Sequence, residues 1–396
     1  MQIFKSHSLL AIYHIIFAVL IYGILKTSGI EYIDKISLFY VCFLLTYLAS
    51  YYLFKIKYKI SFESISINLN KSVLIIPITS ILLILFHLLY LGEFHAISAI
   101  NLRTITEVSQ LRRIITAESH YLVNYIASFN IKGILPFSLL ALLILKKKKL
   151  YWIIFTLGSF YVFCLMQKSF IIVFLGPSLI YSLLKTRWLN VLKYSASISM
   201  VMISLVLIQN PEIRNPEISS AVENQKKSDV SNLETKSVFK KILHGLEKRI
   251  LIIPGETISG WFKFIPKYLP YQNGSGYRLA KFITKKEHSN YAKELYPLMY
   301  PSYAQKGLKG NVNVASFMYD YANFGWKGFI LSGLSMGLLF VFIELLFRNH
   351  LILKLSLNTI PVFLLSSQAI TTALFSGGWG LMLILFFLFR KKENFN

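Results

Sequence analysis

Long apolar runs recur along this chain, with short polar stretches between them. An α-helix needs about 20 mostly apolar residues to cross the roughly 30 Å hydrocarbon core of a bilayer. Runs near that length predict about ten spans, at approximately 9–25, 36–54, 73–91, 122–145, 150–166, 170–184, 191–209, 328–347, 356–375 and 379–389. The pattern therefore predicts an all-α polytopic integral membrane protein.

The composition agrees with this fold class. Hydrophobic residues make up 55% of the 396 residues, charged residues make up 15%, and the mean hydropathy is +0.55. Soluble domains carry about 25% charged residues, so an ordinary water-soluble fold is excluded. Cys42 and Cys164 both lie in or beside apolar segments, which leaves neither a disulfide scaffold nor enough ligands for a metal site.

The distribution of basic residues predicts the orientation. Lysines and arginines follow spans two, four, six, eight and ten, as in the run Lys146–Lys149. Short loops rich in these residues face the cytoplasm, so we expect both termini inside. The net charge of +24 comes without a nucleic-acid motif, so it indicates topology signals and attraction to anionic lipid rather than nucleic acid. Most carboxylates, 15 of 18, then lie outside, which favours an extracytoplasmic functional face.

The fourth predicted span is unusual because Lys132 lies in its first half. We expect Lys132 to mark the outer surface, with 108–130 partly in the interface plane and a short span after it. Elsewhere the spans hold little charge. We expect His14 and His87 to satisfy local hydrogen bonds and Glu344 to snorkel to the inner surface. A secondary transporter would place more ionisable groups near the midplane.

Two outer segments contain most of the remaining chain. The smaller covers about 92–121, and the larger covers 210–327, separating a bundle of about seven spans at 1–209 from one of about three at 328–396. Long ordered loops usually carry function.

The larger segment changes character along its length. Apolar spacing over 236–249 predicts an amphipathic helix that rests on the membrane surface or on the bundle of spans. Aromatic and basic residues then alternate over 261–303. That mixture suits either sugar and phosphate binding or an aromatic belt beside lipid headgroups. No Walker loop, dinucleotide fingerprint or HExxH motif occurs, so no cofactor or metal is predicted.

Two stretches of the larger segment resemble Wzy-type polymerases, the family that joins O-antigen and capsule oligosaccharide repeat units. The first is 248–255, Lys-Arg-Ile-Leu-Ile-Ile-Pro-Gly. The second is 310–328, with Gly-Asn-Val-Asn at its start and Asp320 leading into Phe-Gly-Trp-Lys-Gly at its end. Arg249 and Gly260 also match the RX10G spacing described for outer loops of this family. The order of spans and loops is similar as well.

The resemblance implies a GT-C-like membrane glycosyltransferase in the bacterial cytoplasmic membrane. It would move a growing chain on undecaprenyl pyrophosphate onto the non-reducing end of a new lipid-linked repeat unit, with inversion and without a metal. Donor and acceptor lipids, a chain-length regulator and a flippase would be its partners. Arginines can stabilise the pyrophosphate leaving group, and a carboxylate can accept the acceptor's proton.

Candidate residues follow from these demands. The expected pyrophosphate contacts are Arg249 and Arg278, with Arg112 or Arg113 as a second contributor and Lys248 and Lys281 assisting. The expected base is Asp320, with Glu256 as a substitute. Tyr277 and Trp261 are expected to bind substrate sugars. Alternatively, the cations anchor the loop to lipid headgroups, and Asp320 caps the helix of the eighth span.

Other functions stay open. An O-antigen ligase shares this layout and commonly uses a histidine, for which His244 and His288 are available. A flippase or transporter would have more spans, shorter loops and more buried charge. A membrane acyltransferase would carry an early histidine signature that this chain lacks.

Overall fold

The computed structural model describes residues 7–57, 74–115, 120–211, 245, 247–277, 287–305, 307–348 and 350–389. These residues form helices, turns and irregular segments, with no β-strand among them. The prediction of a helical membrane protein is confirmed at this level. Arg278, Lys281, His244 and most of the predicted 236–249 helix lie outside the described residues.

Every predicted apolar segment contains at least one helix. These helices are Ser8–Ser28, Ile33–Lys57, Ile75–Leu91, Tyr121–Phe129 with Leu135–Ile144, Lys148–Cys164, Lys168–Leu184, Trp188–Gln209, Trp326–Leu346, Leu351–Leu364 and Trp379–Phe389. A π-helical turn, Asn130–Ile134, joins the two parts of the fourth segment. Shorter helical elements lie between them: His95–Ser98, Ala99–Asn101, Ile105–Arg113, Lys248–Ile252, Ile253–Phe264, Tyr291–Met299, Pro301–Gln305, Ser316–Phe324 and Ile370–Leu374.

Five of the described helices are long and apolar enough to cross a membrane, or six if the bent pair Ile75–Leu91 and His95–Asn101 forms one span. Three further apolar helices have between 10 and 17 residues. At about 1.5 Å per residue they are shorter than the roughly 30 Å hydrocarbon core. The total of ten spans therefore stays a prediction.

The ninth predicted span, 356–375, is not one helix. Helix Leu351–Leu364 ends in a tight turn at 365–367, and a separate short helix covers Ile370–Leu374. The backbone N–H groups of Ser366 and Ser367 donate to carbonyls three residues back rather than four. The apolar run thus continues across a break in the helix.

The chain divides into two compact units, and the predicted order of bundle, loop and bundle stays a prediction. The first contains Met1–Phe62, Thr235–Leu351 and Pro361–Ala373, and the second contains Glu63–Glu234, Ile352–Ile360 and Leu374–Asn396. Each unit is therefore built from three separate stretches of sequence.

An aromatic cluster fixes helix Ser316–Phe324 in the first unit. The ring of Phe317 stacks on Phe39 with centroids 4.5 Å apart, and it lies 6.1 Å from Phe329. All three rings are almost fully buried. Burial of large aromatic surfaces is a major source of stability, so this helix is held firmly against the neighbouring long helices.

The ionisable groups of the long helices lie in specific hydrogen bonds. His14 Nδ1 contacts the Leu10 carbonyl at 2.6 Å, and His87 Nδ1 contacts the Tyr161 hydroxyl at 2.6 Å. The expectation that Glu344 snorkels is wrong. Its side chain is buried, and its carboxylate accepts the N–H of Leu9 at 3.2 Å at the start of the first helix, where a negative charge is stabilised.

Candidate functional site

A sharp corner links helix Ser316–Phe324 to the long helix Trp326–Leu346. Gly325 stands between them with φ +61°, a left-handed conformation that suits glycine. A Cβ on Gly328 would lie 2.0 Å from the carbonyl oxygen of Asp320, so the two helices approach too closely for any side chain there. The Phe-Gly-Trp-Lys-Gly stretch therefore makes a compact corner.

The alternative that Asp320 caps the long helix is wrong. The N-cap of Trp326–Leu346 is Gly325, and no side chain caps it. Asp320 is the fifth residue of the preceding helix and is buried, with 6% exposure. Its carboxylate faces a different partner.

That partner comes from the 271–277 loop, which Asn323 binds. The side-chain Oδ1 of Asn323 accepts the N–H groups of Gly274 and Gly276, both at 3.1 Å, and its Nδ2 donates to the Tyr319 carbonyl at 2.8 Å. Asn323 is almost completely buried. Its side chain thus satisfies two loop N–H groups that would otherwise lack an acceptor.

Backbone contacts reinforce this attachment. The N–H of Gln272 donates to the Ala322 carbonyl at 2.9 Å, and the N–H of Asn273 donates to the Asn323 carbonyl at 3.0 Å. The loop is therefore fixed along the helix that carries Asp320.

Tyr277 ends this loop, and its hydroxyl donates a hydrogen bond to Oδ1 of Asp320. Burial raises the pKa of the Asp320 carboxyl to about 6, although the hydrogen bond from Tyr277 opposes the shift. Burial and the nearby Asp320 charge raise the pKa of the Tyr277 hydroxyl. Asp320 can therefore gain or lose a proton near neutral pH, as a general acid or base must.

The chain on the other side of the 278–286 segment returns to the same loop. The N–H of Ser289 donates to the Ser275 carbonyl at 3.2 Å, and Nε2 of Gln272 donates to the Ser289 carbonyl at 3.0 Å. Nδ1 of His288 contacts the Ser275 carbonyl at 3.1 Å. His288 is thus near the loop that carries Tyr277.

Lys248 and Arg249 occupy the π-helical turn Lys248–Ile252, and both side chains are exposed. The following helix packs on the first helix through a close pair, because a Cβ on Gly255 would lie 2.1 Å from the backbone of Gly23. In the described part of the chain, Arg249 forms no ion pair with Asp320 or Glu256. Arg249 is accessible to a phosphate-bearing ligand.

Glu256 has its own partner. It is half-buried, and its Oε1 accepts a long hydrogen bond of 3.5 Å from the Tyr300 hydroxyl. The two candidate carboxylates of this unit are therefore each paired with a tyrosine, and Asp320 is the more deeply buried of the two.

Trp261 has a packing role. Its side chain is 1% exposed, its Nε1 donates to the Val312 carbonyl at 3.1 Å, and its ring meets Tyr319 edge-on at 5.1 Å. No face of the indole is open to a sugar. Among the described residues of 261–328, the exposed aromatic side chains are Tyr268, Tyr303, Phe324 and Trp326.

Arg112 and Arg113 belong to the second compact unit. They end helix Ile105–Arg113, which begins with a capping box between Thr104 and Glu107. Both arginine side chains are exposed. Cations at a helix C-terminus are favoured by the helix dipole, so their position is explained without a ligand.

No protein family, no curated protein and no solved structure matches this chain. Within the described ranges, no group of three or more His, Cys, Asp or Glu side chains is arranged to hold a metal ion. The residues and their geometry are therefore the basis for inferring function.

Proposed function

We propose that this protein is a membrane glycosyltransferase that polymerises lipid-linked oligosaccharide repeat units at the outer face of the bacterial cytoplasmic membrane. The observation that carries the proposal is the buried Asp320 carboxyl, whose pKa of about 6 suits a general base. Asp320 lies within the 310–328 stretch that resembles repeat-unit polymerases. It also lies beside a long apolar helix, near the membrane in which lipid-linked substrates are dissolved.

The Tyr277 contact suggests how an acceptor sugar is received. A hydroxyl group already donates to the Asp320 carboxylate in this structure. In the proposed reaction, the acceptor hydroxyl takes the place of the Tyr277 hydroxyl, and Asp320 accepts its proton as the oxygen attacks the anomeric carbon of the donor. The bond from that carbon to the pyrophosphate breaks, and its electron pair leaves with the pyrophosphate oxygen.

The leaving group then needs positive charge. Arg249 is exposed in the same compact unit and is free of any ion pair with Asp320 or Glu256. An arginine can hold two phosphate oxygens at once, so Arg249 supports departure of undecaprenyl pyrophosphate. Arg278, Lys248 and Lys281 stay proposed contributors, and the role expected of Arg112 and Arg113 stays a prediction from the sequence.

Complementation in the native host tests this function. We would delete the gene, restore it with the wild-type chain, Asp320→Asn, Arg249→Ala, Arg249→Lys or the control Glu287→Gln, and separate the surface glycan by size. We expect Asp320→Asn, Arg249→Ala and Arg249→Lys to leave a single repeat unit attached while protein abundance is unchanged. We expect Glu287→Gln to restore long chains. Glu287 is an exposed carboxylate outside the Asp320 pair.

Two other profiles would identify a different activity. Loss of every attached repeat, with lipid-linked polymer accumulating, would indicate a ligase. Single repeats accumulating on the cytoplasmic face would indicate a flippase. Normal chains from Asp320→Asn and Arg249→Ala would remove both residues from the mechanism.

A further inference from the structure

Lys132 is a cation in the middle of a long apolar helix, so the expectation of a short span that begins after Lys132 is wrong. That helix covers Tyr121–Ile144, has the length and hydropathy of a membrane span, and has Lys132 as its twelfth residue. Charged side chains within such spans are costly and rare, and they usually face a partner or a pathway. A group that compensates the charge is therefore expected.

The described residues of the second unit offer no carboxylate for this purpose. They include two, Glu93 and Glu107. Glu93 is exposed, and Glu107 accepts the backbone N–H groups of Arg103 and Thr104. The Lys132 ammonium instead lies 5.7 Å from the centroid of the Phe170 ring. An aromatic face compensates a cation only partly.

The helix is distorted at this position. Lys132 lies in the π-helical turn Asn130–Ile134, and such turns occur often at functional sites. The polar neighbour Asn130 is already satisfied, because its Oδ1 accepts the Ser80 hydroxyl at 2.7 Å and its Nδ2 donates to the Ser80 carbonyl at 3.2 Å. The Lys132 ammonium, in contrast, has no counter-ion among the described residues.

Two contacts of Lys132 come from the start of a helix or from the turn before one. Phe170 is the third residue of helix Lys168–Leu184. A Cβ on Gly378 would lie 2.6 Å from the backbone carbon of Lys132, and Gly378 has φ +73°. The turn before helix Trp379–Phe389 therefore touches the Lys132 backbone.

That arrangement adds a second source of positive potential. Helix Trp379–Phe389 has eleven residues, and the first N–H groups of a helix have no intrahelical acceptor. They carry partial positive charge and favour anions. Lys132 and the N-terminus of helix Trp379–Phe389 are therefore neighbours in the second unit.

On the predicted topology, Lys132 lies nearer the outer surface of the membrane than the inner one. Fourteen residues separate it from Lys146, which corresponds to about 21 Å of helix. With Lys146–Lys149 at the inner surface, as the charge pattern predicts, the Lys132 backbone lies about 9 Å below the outer edge of a roughly 30 Å hydrocarbon core. The long lysine stem can extend the ammonium further toward that surface.

We propose that the π-turn Asn130–Ile134 binds the phosphate group of an outer-leaflet lipid, with Lys132 as its counter-ion. A phosphate oxygen supplies the negative charge that the described side chains do not. The proposed function makes a polyprenyl phosphate the favoured lipid, and that choice rests on the proposed function. The binding itself requires no sugar transfer.

The test is direct binding to the purified full-length chain in a detergent whose headgroup carries no phosphate. Undecaprenyl phosphate is titrated against the wild type, Lys132→Met, Lys132→Arg and the control Lys149→Met, in which an exposed lysine at the far end of the bundle is removed. Losing one charge-assisted contact predicts an affinity at least about tenfold lower for Lys132→Met. Lys132→Arg and Lys149→Met are expected to bind like the wild type.

A stability measurement separates binding from folding. Lys132→Met removes a charge without leaving a buried partner unpaired, so its unfolding temperature without lipid is expected to stay at or above that of the wild type. If Lys132→Met does not fold, Lys132→Gln gives the same comparison with a polar side chain.

The remaining arms identify the ligand. Phosphatidylglycerol competing as well as undecaprenyl phosphate would support a general lipid-phosphate site. Inorganic phosphate competing equally would overturn the lipid assignment, and unchanged binding by Lys132→Met would overturn the site. Because no sugar is transferred, this result does not depend on whether the chain polymerises repeat units.

Discussion

Asp320 is buried, and its carboxyl accepts a hydrogen bond from Tyr277. Burial raises its pKa to about 6 from an ordinary value of 3.8. The folded protein therefore binds this proton more tightly than the unfolded chain does. The resulting stabilisation is complete below pH 3.8 and is lost as the pH rises through about 6. A shift of that size corresponds to about 3 kcal/mol, so the ionised carboxylate is a cost to the folded protein at neutral pH.

The first prediction follows from that cost. Asp320→Asn keeps the shape and can still accept the Tyr277 hydrogen bond, but it cannot ionise. We expect its unfolding midpoint at pH 7.5 to equal or exceed that of the wild type, while polymer formation is lost. Thermal unfolding in detergent at pH 5 and pH 7.5, beside glycan analysis, measures both. A strongly destabilised Asp320→Asn would indicate a structural role for the carboxylate.

The second prediction concerns Tyr277. Its hydrogen bond lowers the pKa of Asp320, so Tyr277→Phe is expected to raise that pKa further. The base would then stay protonated to a higher pH, and the acidic limb of the profile of kcat/KM against pH should move to higher pH. Tyr268→Phe is the matched control, because Tyr268 is exposed at 58%. An unmoved acidic limb would argue against Asp320 as the titrating group.

At the scale of elements, Asn323 joins the 271–277 loop to helix Ser316–Phe324. Asn323→Ala would leave the N–H groups of Gly274 and Gly276 without their acceptor, at about 1–3 kcal/mol for each buried group. We expect faster amide hydrogen exchange across 271–277 and reduced transfer activity. Asn101→Ala is the control, since its side chain is exposed and belongs to the second compact unit. Equal protection in Asn323→Ala and the wild type would contradict this role.

The helices of this protein could be predicted from sequence because their signal is local. The eighth span, predicted at 328–347, is found at Trp326–Leu346. The break inside 356–375 falls on the short polar stretch Ser366, Ser367 and Gln368, which a hydropathy average over a whole span does not resolve. Hydropathy reports which segments avoid water and does not report where a helix ends within them.

The site could be predicted only in part. Asp320 lies in the 310–328 stretch that resembles a known family. Its partner Tyr277 lies 43 positions earlier, and a contact at that separation depends on how the segment between them folds. Trp261 illustrates the opposite error. A tryptophan among basic residues suggested sugar stacking, whereas the Val312 carbonyl and the Tyr319 ring enclose its indole.

At the scale of the whole molecule, the chain is a helical membrane protein with at least five helices able to span a bilayer in the described part. The charge pattern predicts cytoplasmic loops at 146–149 and 185–193. A phosphatase reporter, which is active only outside the cytoplasm, should be inactive when fused after Lys147 and active when fused after Gly274. The reverse pattern would invert the orientation and place Asp320 on the cytoplasmic side.

The corner at Gly325 has a mechanical consequence. Because the backbone of Gly328 touches that of Asp320, helix Ser316–Phe324 and helix Trp326–Leu346 have little room to move relative to each other. A thicker or thinner bilayer changes the tilt of a spanning helix, and the Asp320 carboxylate would then shift in height with that helix. The lipid phosphates keep their own level, so the match between bilayer thickness and this one helix would set how well the proposed base meets the proposed lipid-linked substrate.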